Sequence, residues 1–375
     1  MRIAINCRCF LKKQFTGVGR YAFNLVRCLS EIDQENEYFL YAPKDLFDFK
    51  RQFPKVGVRN FHVKGDLFRQ GPDRILGAID IYHAPCPEFV TVKEAKVIVS
   101  IHDLVYKAYP QGHNHATIDI TDRQLQNIVE CADKIICSSQ STLNDLQKYF
   151  EVDSRKLCVI YLGMNLDEFA PLRNDEHCKA KNTILKKGVE EPYLLFVGTI
   201  EPRKNLQNLL KAFAILKEKN RFKGKLVVIG MKGWNSDGLA TMVEELGIKD
   251  RVIFPGFVTN EELRFFYTLS AALIMPSFYE GFGFPIVEAF NCGTPVVTSM
   301  TSSCGELAAD CALTIDPHDV EGLAQSMERI LYDDRLREHL KQKGFKRAQD
   351  FSYYHTARQT LQVYQEVYNK VLLTR

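Results

Sequence analysis

Residues 272–299, ALIMPSFYEGFGFPIVEAFNCGTPVVTS, read in order as strand, loop, helix and strand. ALIMPS and PVVTS are short apolar runs with almost no polar interruption, the pattern of parallel strands covered on both faces. Between them, Pro285 suits the first turn of a helix, and Gly281 and Gly283 leave the preceding loop pliable. A strand joined through a helix to a second strand is the repeating unit of an open parallel sheet. The same segment sets Glu280 in the loop and Glu288 about one turn inside the helix, with seven residues between the two carboxylates.

Working outward, the same alternation fills the chain. RIAINC, YFLYA, IDIYHA, KVIVSIHD, KIICSS and LCVIYLG supply strands in the first half; PYLLFVGT, KLVVIG, RVIFPG, ALIMPS, PVVTS and ALTIDP supply them in the second. Amphipathic helices lie between, one marked by Ala22, Leu25, Val26 and Leu29, another by Leu206, Leu209, Leu210, Phe213 and Leu216. The expected fold is therefore α/β, with two doubly wound parallel-sheet domains. Residues 171–192, PLRNDEHCKAKNTILKKGVEEP, are charged, proline-flanked and poor in strand signal, and read as a linker. The expected division is 1–170, linker 171–192, 193–350, and a closing amphipathic helix over 351–375 that must dock on something.

Composition narrows the function classes. A chain of 375 residues suits two domains of ordinary size, and 46% hydrophobic with 25% charged residues is the make-up of an average globular protein. No apolar run reaches the roughly 18 residues that cross a bilayer, and the N-terminus lacks a signal-peptide pattern, so a cytoplasmic location is expected. The eleven cysteines are scattered, with no CxxC pair, which argues against a disulfide framework or a zinc site. A net charge of +3 gives no nucleic-acid footprint. The stretch KDLFDFKRQFPK, residues 44–55, interleaves phenylalanines with cations; one apolar face on the core is the favoured reading, peripheral contact with an anionic membrane the alternative.

In open α/β sheets ligands bind beyond the carboxyl ends of the strands, where loops and helix N-termini present backbone amides. After ALIMPS, that loop and helix start favour an anion, and Glu288 can accept hydrogen bonds from hydroxyls. A sugar nucleotide offers diphosphate and hydroxyls together, although a solvated glutamate near a helix start reads equally well from spacing alone. After PYLLFVGT, Arg203 and Lys204 precede a helix for which Asn205 is a good N-cap; two cations at a positive helix end are poor for stability and good for a phosphate. After RIAINC, Gly17 and Gly19 form a short glycine loop, but the third glycine of a dinucleotide fingerprint is absent, so NAD is disfavoured. After KVIVS, His102 could donate a hydrogen bond to a reacting sugar or simply cap the strand end.

Taken together, TGVGRY, VGTIEPRKNL, PSFYEGFGFPIVEAFNCGTPVV and the closing helix resemble the retaining glycosyltransferases of family 4, over nearly the whole chain. The resemblance implies the GT-B architecture, two facing Rossmann-like domains with the last helix returning to the first. It implies a hexosyl transfer, mannose or a related sugar, from a nucleoside-diphosphate sugar to a glycan or lipid-linked acceptor in surface-polysaccharide assembly. No cofactor or metal is demanded. By position, Glu280 lies near the transferred sugar, Glu288 takes the ribose, and the amides of Gly281, Phe282, Gly283 and Phe284 approach sugar and diphosphate. Arg203 and Lys204 hold the diphosphate, the backbone at Val258 meets the base, Gly17 belongs to the first-domain loop, and His102 stands beside the reacting sugar. One departure is Thr199, where many relatives carry arginine. An epimerase of the same fold, or a non-catalytic nucleotide-sugar-binding protein, are the rival readings.

Overall fold

A computed structural model of the chain describes residues 1–10, 17–43, 58–66, 68, 70–88, 90, 92–112, 115–231 and 238–374. The basic aromatic stretch at 44–55 and the approach to the glycine loop, 11–16, lie outside the described residues. The chain divides into two compact units, Met1–Met164 with Ser352–Arg375, and Asn165–Phe351.

The first unit is built on seven strands: β1 Arg2–Asn6, β2 Glu37–Pro43, β3 Phe61–Asp66, β4 Ile81–Ala84, β5 Lys96–Ile101, β6 Lys134–Cys137 and β7 Leu157–Val159. They pair in the order β3-β2-β1-β4-β5-β6-β7, each neighbour parallel. The chain winds outward from β1 in one direction and from β4 in the other, so the order reverses between these two strands. Helix Gly17–Ile32 buries Tyr21, Ala22, Leu25, Val26 and Leu29, and packs against the closing helix Tyr353–Thr374. Tyr364 of the closing helix is fully buried, with its hydroxyl 2.6 Å from Nδ1 of His83 on β4.

The second unit holds six strands: β8 Tyr193–Val197, β9 Lys225–Ile229, β10 Val252–Ile253, β11 Ala272–Met275, β12 Val296–Ser299 and β13 Leu313–Ile315. Their order is β10-β9-β8-β11-β12-β13, again parallel throughout, with the reversal between β8 and β11. β8, β11 and β12 are buried along their whole length, which is why their sequences carry no period-2 alternation. Helix Leu206–Glu218 buries the expected stripe, Leu206, Leu209, Leu210, Phe213 and Leu216, and packs on helix Val320–Tyr332. Removing a side chain the size of Phe213 from water is worth roughly 2 kcal/mol, so this helix is held by its stripe more than by propensity.

Two expectations change. The stretch 171–192 is not a bare connection but part of the second unit, carrying helix His177–Lys186. Ala180 and Ile184, one turn apart, are buried as the helix packs on helix Asn260–Leu269, and its charges pair there: Lys179 with Glu261 at 2.5 Å and Lys187 with Glu262 at 3.5 Å. A two-residue stripe in a charged segment is too thin to register as amphipathic. The second change is β3, which FHVKGD gave no reason to expect: an edge strand, half-buried, with Val63 exposed. No helix among the described residues is long and apolar enough to cross a membrane.

Candidate functional site

At each reversal of strand order two neighbouring strands send their loops apart and open a crevice at the carboxyl edge. In the second unit those strands are β8 and β11, whose loops carry Arg203–Lys204 and Glu280. The β8 loop folds as a short turn, Pro202–Lys204, and its carbonyl at Arg203 accepts a backbone bond from Phe278 of the β11 loop at 2.8 Å. Asn205 does not cap the following helix. It adopts a left-handed conformation, φ 59°, and its Nδ2 donates to the carbonyls of Pro276 and Pro317 at 2.9 and 2.7 Å. The residue expected as a cap is thus a staple between strand ends. Gly230 lets β9 pass close by, since a Cβ there would come within 1.9 Å of the Gly198 carbonyl oxygen.

Glu280 is the centre of the cluster. It is 5% exposed, and it accepts from Nζ of Lys204 at 2.5 Å, from Nη1 of Arg203 at 2.8 Å and from Oγ of Ser277 at 2.8 Å. Burial pushes its carboxyl up, but attraction to Lys204 and Arg203, with the hydrogen bonds from both, outweighs that and brings it down to about 2. Lys204 is itself 7% exposed, so this lysine is a dry, oriented cation rather than a solvated one. Arg203 also donates to the Tyr279 carbonyl at 3.1 Å and pairs through Nη2 with Glu201 at 2.6 Å. Glu201 and Ser277 lie inside quoted motifs yet were not singled out, because only the strand order reveals that the two loops meet.

The glycine loop is fixed from behind. Ser303 Oγ donates to the carbonyls of Glu280 and Phe282 at 2.8 and 2.6 Å, and the Glu280 amide donates to Ser302 Oγ at 3.0 Å. Ser302 is held at φ 52°, a conformation costly for a residue with a Cβ. Gly281 is half-buried, and Gly283 sits at φ 110° as the residue before helix Phe284–Cys292. The Phe282 ring is core, edge-on to Phe284 and Phe351, so only its main chain is available to a ligand.

Glu288 stands one turn inside that helix, as expected, and is 6% exposed. The hydroxyl of Tyr267 donates to its Oε2 at 2.8 Å. Val258 is half-buried and immediately precedes helix Asn260–Leu269, whose start is closed by a reciprocal Thr259–Glu262 capping box. Thr199 is exposed, next to Gly198 at φ 151°.

The first unit carries His102 and Gly17. Gly17 opens helix Gly17–Ile32 and is exposed. His102 follows β5 and is 7% exposed; its Nε2 lies 2.8 Å from the Pro85 carbonyl, and its own carbonyl accepts from Ser138 and Thr142 hydroxyls. Burial lowers its pKa, so the ring is neutral. A carbonyl can only accept, so Nε2 bears the proton, and buried Nδ1, which has no hydrogen-bond partner, is an acceptor. The donor nitrogen of His102 is thus committed to the Pro85 carbonyl.

Comparison with known proteins places the chain among glycosyltransferase sequences and folds. A model described as glycosyl transferases group 1 matches residues 179–347, and one described as glycosyltransferase family 4 matches residues 15–168. An O-antigen chain mannosyltransferase B of Escherichia coli is 28% identical, over 94% of this chain and 97% of its own. Among solved structures, a sucrose-phosphate synthase from Thermosynechococcus elongatus superposes with a TM-score of 0.74 at 21% identity, over 98% of this chain and 99% of that one. Anabaena HepE, solved with UDP and glucose, gives 0.74 at 15% identity, over 98% and 100%. At these identities the two structures speak to the fold.

Proposed function

The chain belongs to the family 4, group 1 glycosyltransferases, retaining enzymes of the GT-B fold, and on that footing we propose that it moves a mannosyl or related hexosyl unit from a nucleoside-diphosphate sugar onto a glycan or lipid-linked acceptor in surface-polysaccharide assembly. The observation that carries the reading is the ion cluster at the β8–β11 reversal, where two oriented cations share one buried carboxylate. Departure of the sugar leaves negative charge on the diphosphate, and preset cations stabilise that charge without reorganising as it forms. A lysine ammonium has three donors and a guanidinium five, so both can keep Glu280 and still reach phosphate oxygens. In this reading Glu288 takes the ribose hydroxyls and the Gly281–Phe284 main chain lies along sugar and diphosphate.

GDP-mannose is the favoured donor, supported by the near full-length similarity to the mannosyltransferase. The reading assigns charge stabilisation to Arg203 and Lys204 and needs no metal ion. It also places the enzyme in the cytoplasm, with contact at the membrane surface where a lipid-linked acceptor would lie. The test is a thermal-shift screen with GDP, UDP, ADP and dTDP, followed by transfer assays with the matching sugar nucleotide. A folded-state ligand raises the melting temperature. Absence of a shift with all four, or Lys204→Ala transferring at the unaltered rate, would end the proposal.

A further inference from the structure

We infer that Tyr267 is a positioning residue for the ribose: it holds the Glu288 carboxylate in the orientation that discriminates nucleotides with hydroxyls at C2′ and C3′ from those without. The inference rests on the assignment of Glu288 to the ribose. Tyr267 lies two residues from the end of helix Asn260–Leu269, fully buried, and its hydroxyl donates to Glu288 Oε2 at 2.8 Å. Glu288 in turn is surrounded on its own helix by Ile286, Val287, Ala289 and Phe290, each at most 1% exposed. A carboxylate in such company tends to turn toward water, and a hydrogen bond from a buried donor opposes that.

Tyr267 is itself clamped to the helix that bears Glu288. Its carbonyl accepts from Thr294 Oγ1 at 2.6 Å and from Ser270 Oγ at 2.8 Å, while the Thr294 amide donates to the Ala289 carbonyl at 2.8 Å. The Phe169 ring stands edge-on to Tyr267 at 6.1 Å, and Phe169 is tied to the same helix through Cys292 Sγ, which donates to its carbonyl at 3.1 Å. The phenol therefore cannot follow the carboxylate if it swings. Anchored at one oxygen by a fixed donor, Glu288 keeps one rotamer, from which a carboxylate can accept from two neighbouring hydroxyls.

The test compares GDP with 2′,3′-dideoxy-GDP, and UDP with 2′,3′-dideoxy-UDP, by calorimetric titration of the full chain. The unaltered protein is expected to bind one of the ribonucleotides at least ten-fold more tightly than its dideoxy counterpart. Tyr267→Phe, which keeps the ring, should cut that ratio to about two-fold by weakening the ribonucleotide alone, leaving the dideoxy affinity as it was. Adding Tyr267→Phe to Glu288→Gln should weaken the ribonucleotide no further, which separates positioning from general loosening of the fold, since loosening would lower both affinities in either background. A full ten-fold ratio in Tyr267→Phe, with the ratio abolished in Glu288→Gln, overturns the inference and leaves the ribose assignment standing. No ratio in the unaltered protein for either base overturns both.

Discussion

Replacing Lys204 with methionine removes a cation from a carboxylate that water barely reaches. Lys204 and Glu280 are 7% and 5% exposed and 2.5 Å apart, so the loss is that of a buried partner, about 3–5 kcal/mol, rather than of a surface salt bridge. For a unit of this size each kcal/mol lowers the melting temperature by about 2–4 °C, giving an expected drop of about 10 °C in differential scanning calorimetry. The pH dependence is signed. Glu280 titrates at about 2 against an ordinary 4.5, so its contribution, about 3 kcal/mol, is fully present above pH 4.5 and is lost as pH falls toward 2. The gap between the unaltered protein and Lys204→Met should accordingly be widest above pH 4.5 and close toward pH 2.

The companion variants are Glu280→Gln and the double change. Because the two groups neutralise each other, the double variant should be more stable than Lys204→Met alone, with a coupling of about 2 kcal/mol or more. Turnover should not return with stability, since a neutral pair cannot stabilise charge on a leaving diphosphate; a loss of about 100-fold or more in kcat is expected in both variants lacking Lys204. Strict additivity of the two destabilisations, or a gap independent of pH, would refute the view that Glu280 and Lys204 share one buried ion pair.

Three further outcomes are expected. His83 is fully buried and neutral, pushed down to about 3 by burial; unfolded it would protonate near 6.5, so the first unit should lose up to about 5 kcal/mol as pH falls from 6.5 to 3, and hydrogen exchange in β4 and β5 should quicken before that in β8 and β11. Transfer activity should survive dialysis against EDTA within about two-fold, because Arg203 and Lys204 carry the charge stabilisation in the proposed mechanism. Asn205→Ala leaves the Pro276 carbonyl without its Asn205 donor and the Pro317 carbonyl with Asn208 in place of two amides, and loses a residue suited to φ 59°, costing about 2 kcal/mol in urea unfolding and widening the β8–β11 loops enough to lower kcat.

Of the thirteen strands among the described residues twelve were legible: the interior ones because a parallel strand covered on both faces is apolar along its length, and the edge strands β7, β10 and β13 because they lie inside the apolar runs LCVIYLG, RVIFPG and ALTIDP. β3, the remaining edge strand, was not, because His62, Lys64 and Asp66 interrupt its run, the buried Asp66 being satisfied by the Tyr41 hydroxyl. The same logic explains helix His177–Lys186, whose apolar face is two residues wide and whose remaining contacts are ionic. At the site, residue types were legible and partnerships were not. Glu280 and Lys204 are separated by 76 residues, and only the sheet order, β8 beside β11, makes them neighbours. Asn205 shows the limit most plainly: the residue that caps helices best is also the residue that tolerates a left-handed backbone, and the three-dimensional setting chose the second use.

If the cluster holds a diphosphate as proposed, the arrangement also explains why a glutamate stands among its cations. A lysine held as dry as Lys204 without a counter-charge would pay a desolvation penalty of several kcal/mol and would turn outward to solvent, losing its orientation, while the half-buried Arg203 would lose less. Glu280 supplies that counter-charge from a loop whose carbonyls are pinned by Ser303, so Arg203 and Lys204 are aimed before a diphosphate arrives. With Glu201 on the far side of Arg203, the four side chains sum to zero charge, which keeps the resting cluster stable. In the proposed mechanism a diphosphate, already anionic when bound, would meet donors in place, and the further charge of the leaving group would strengthen those contacts at the transition state.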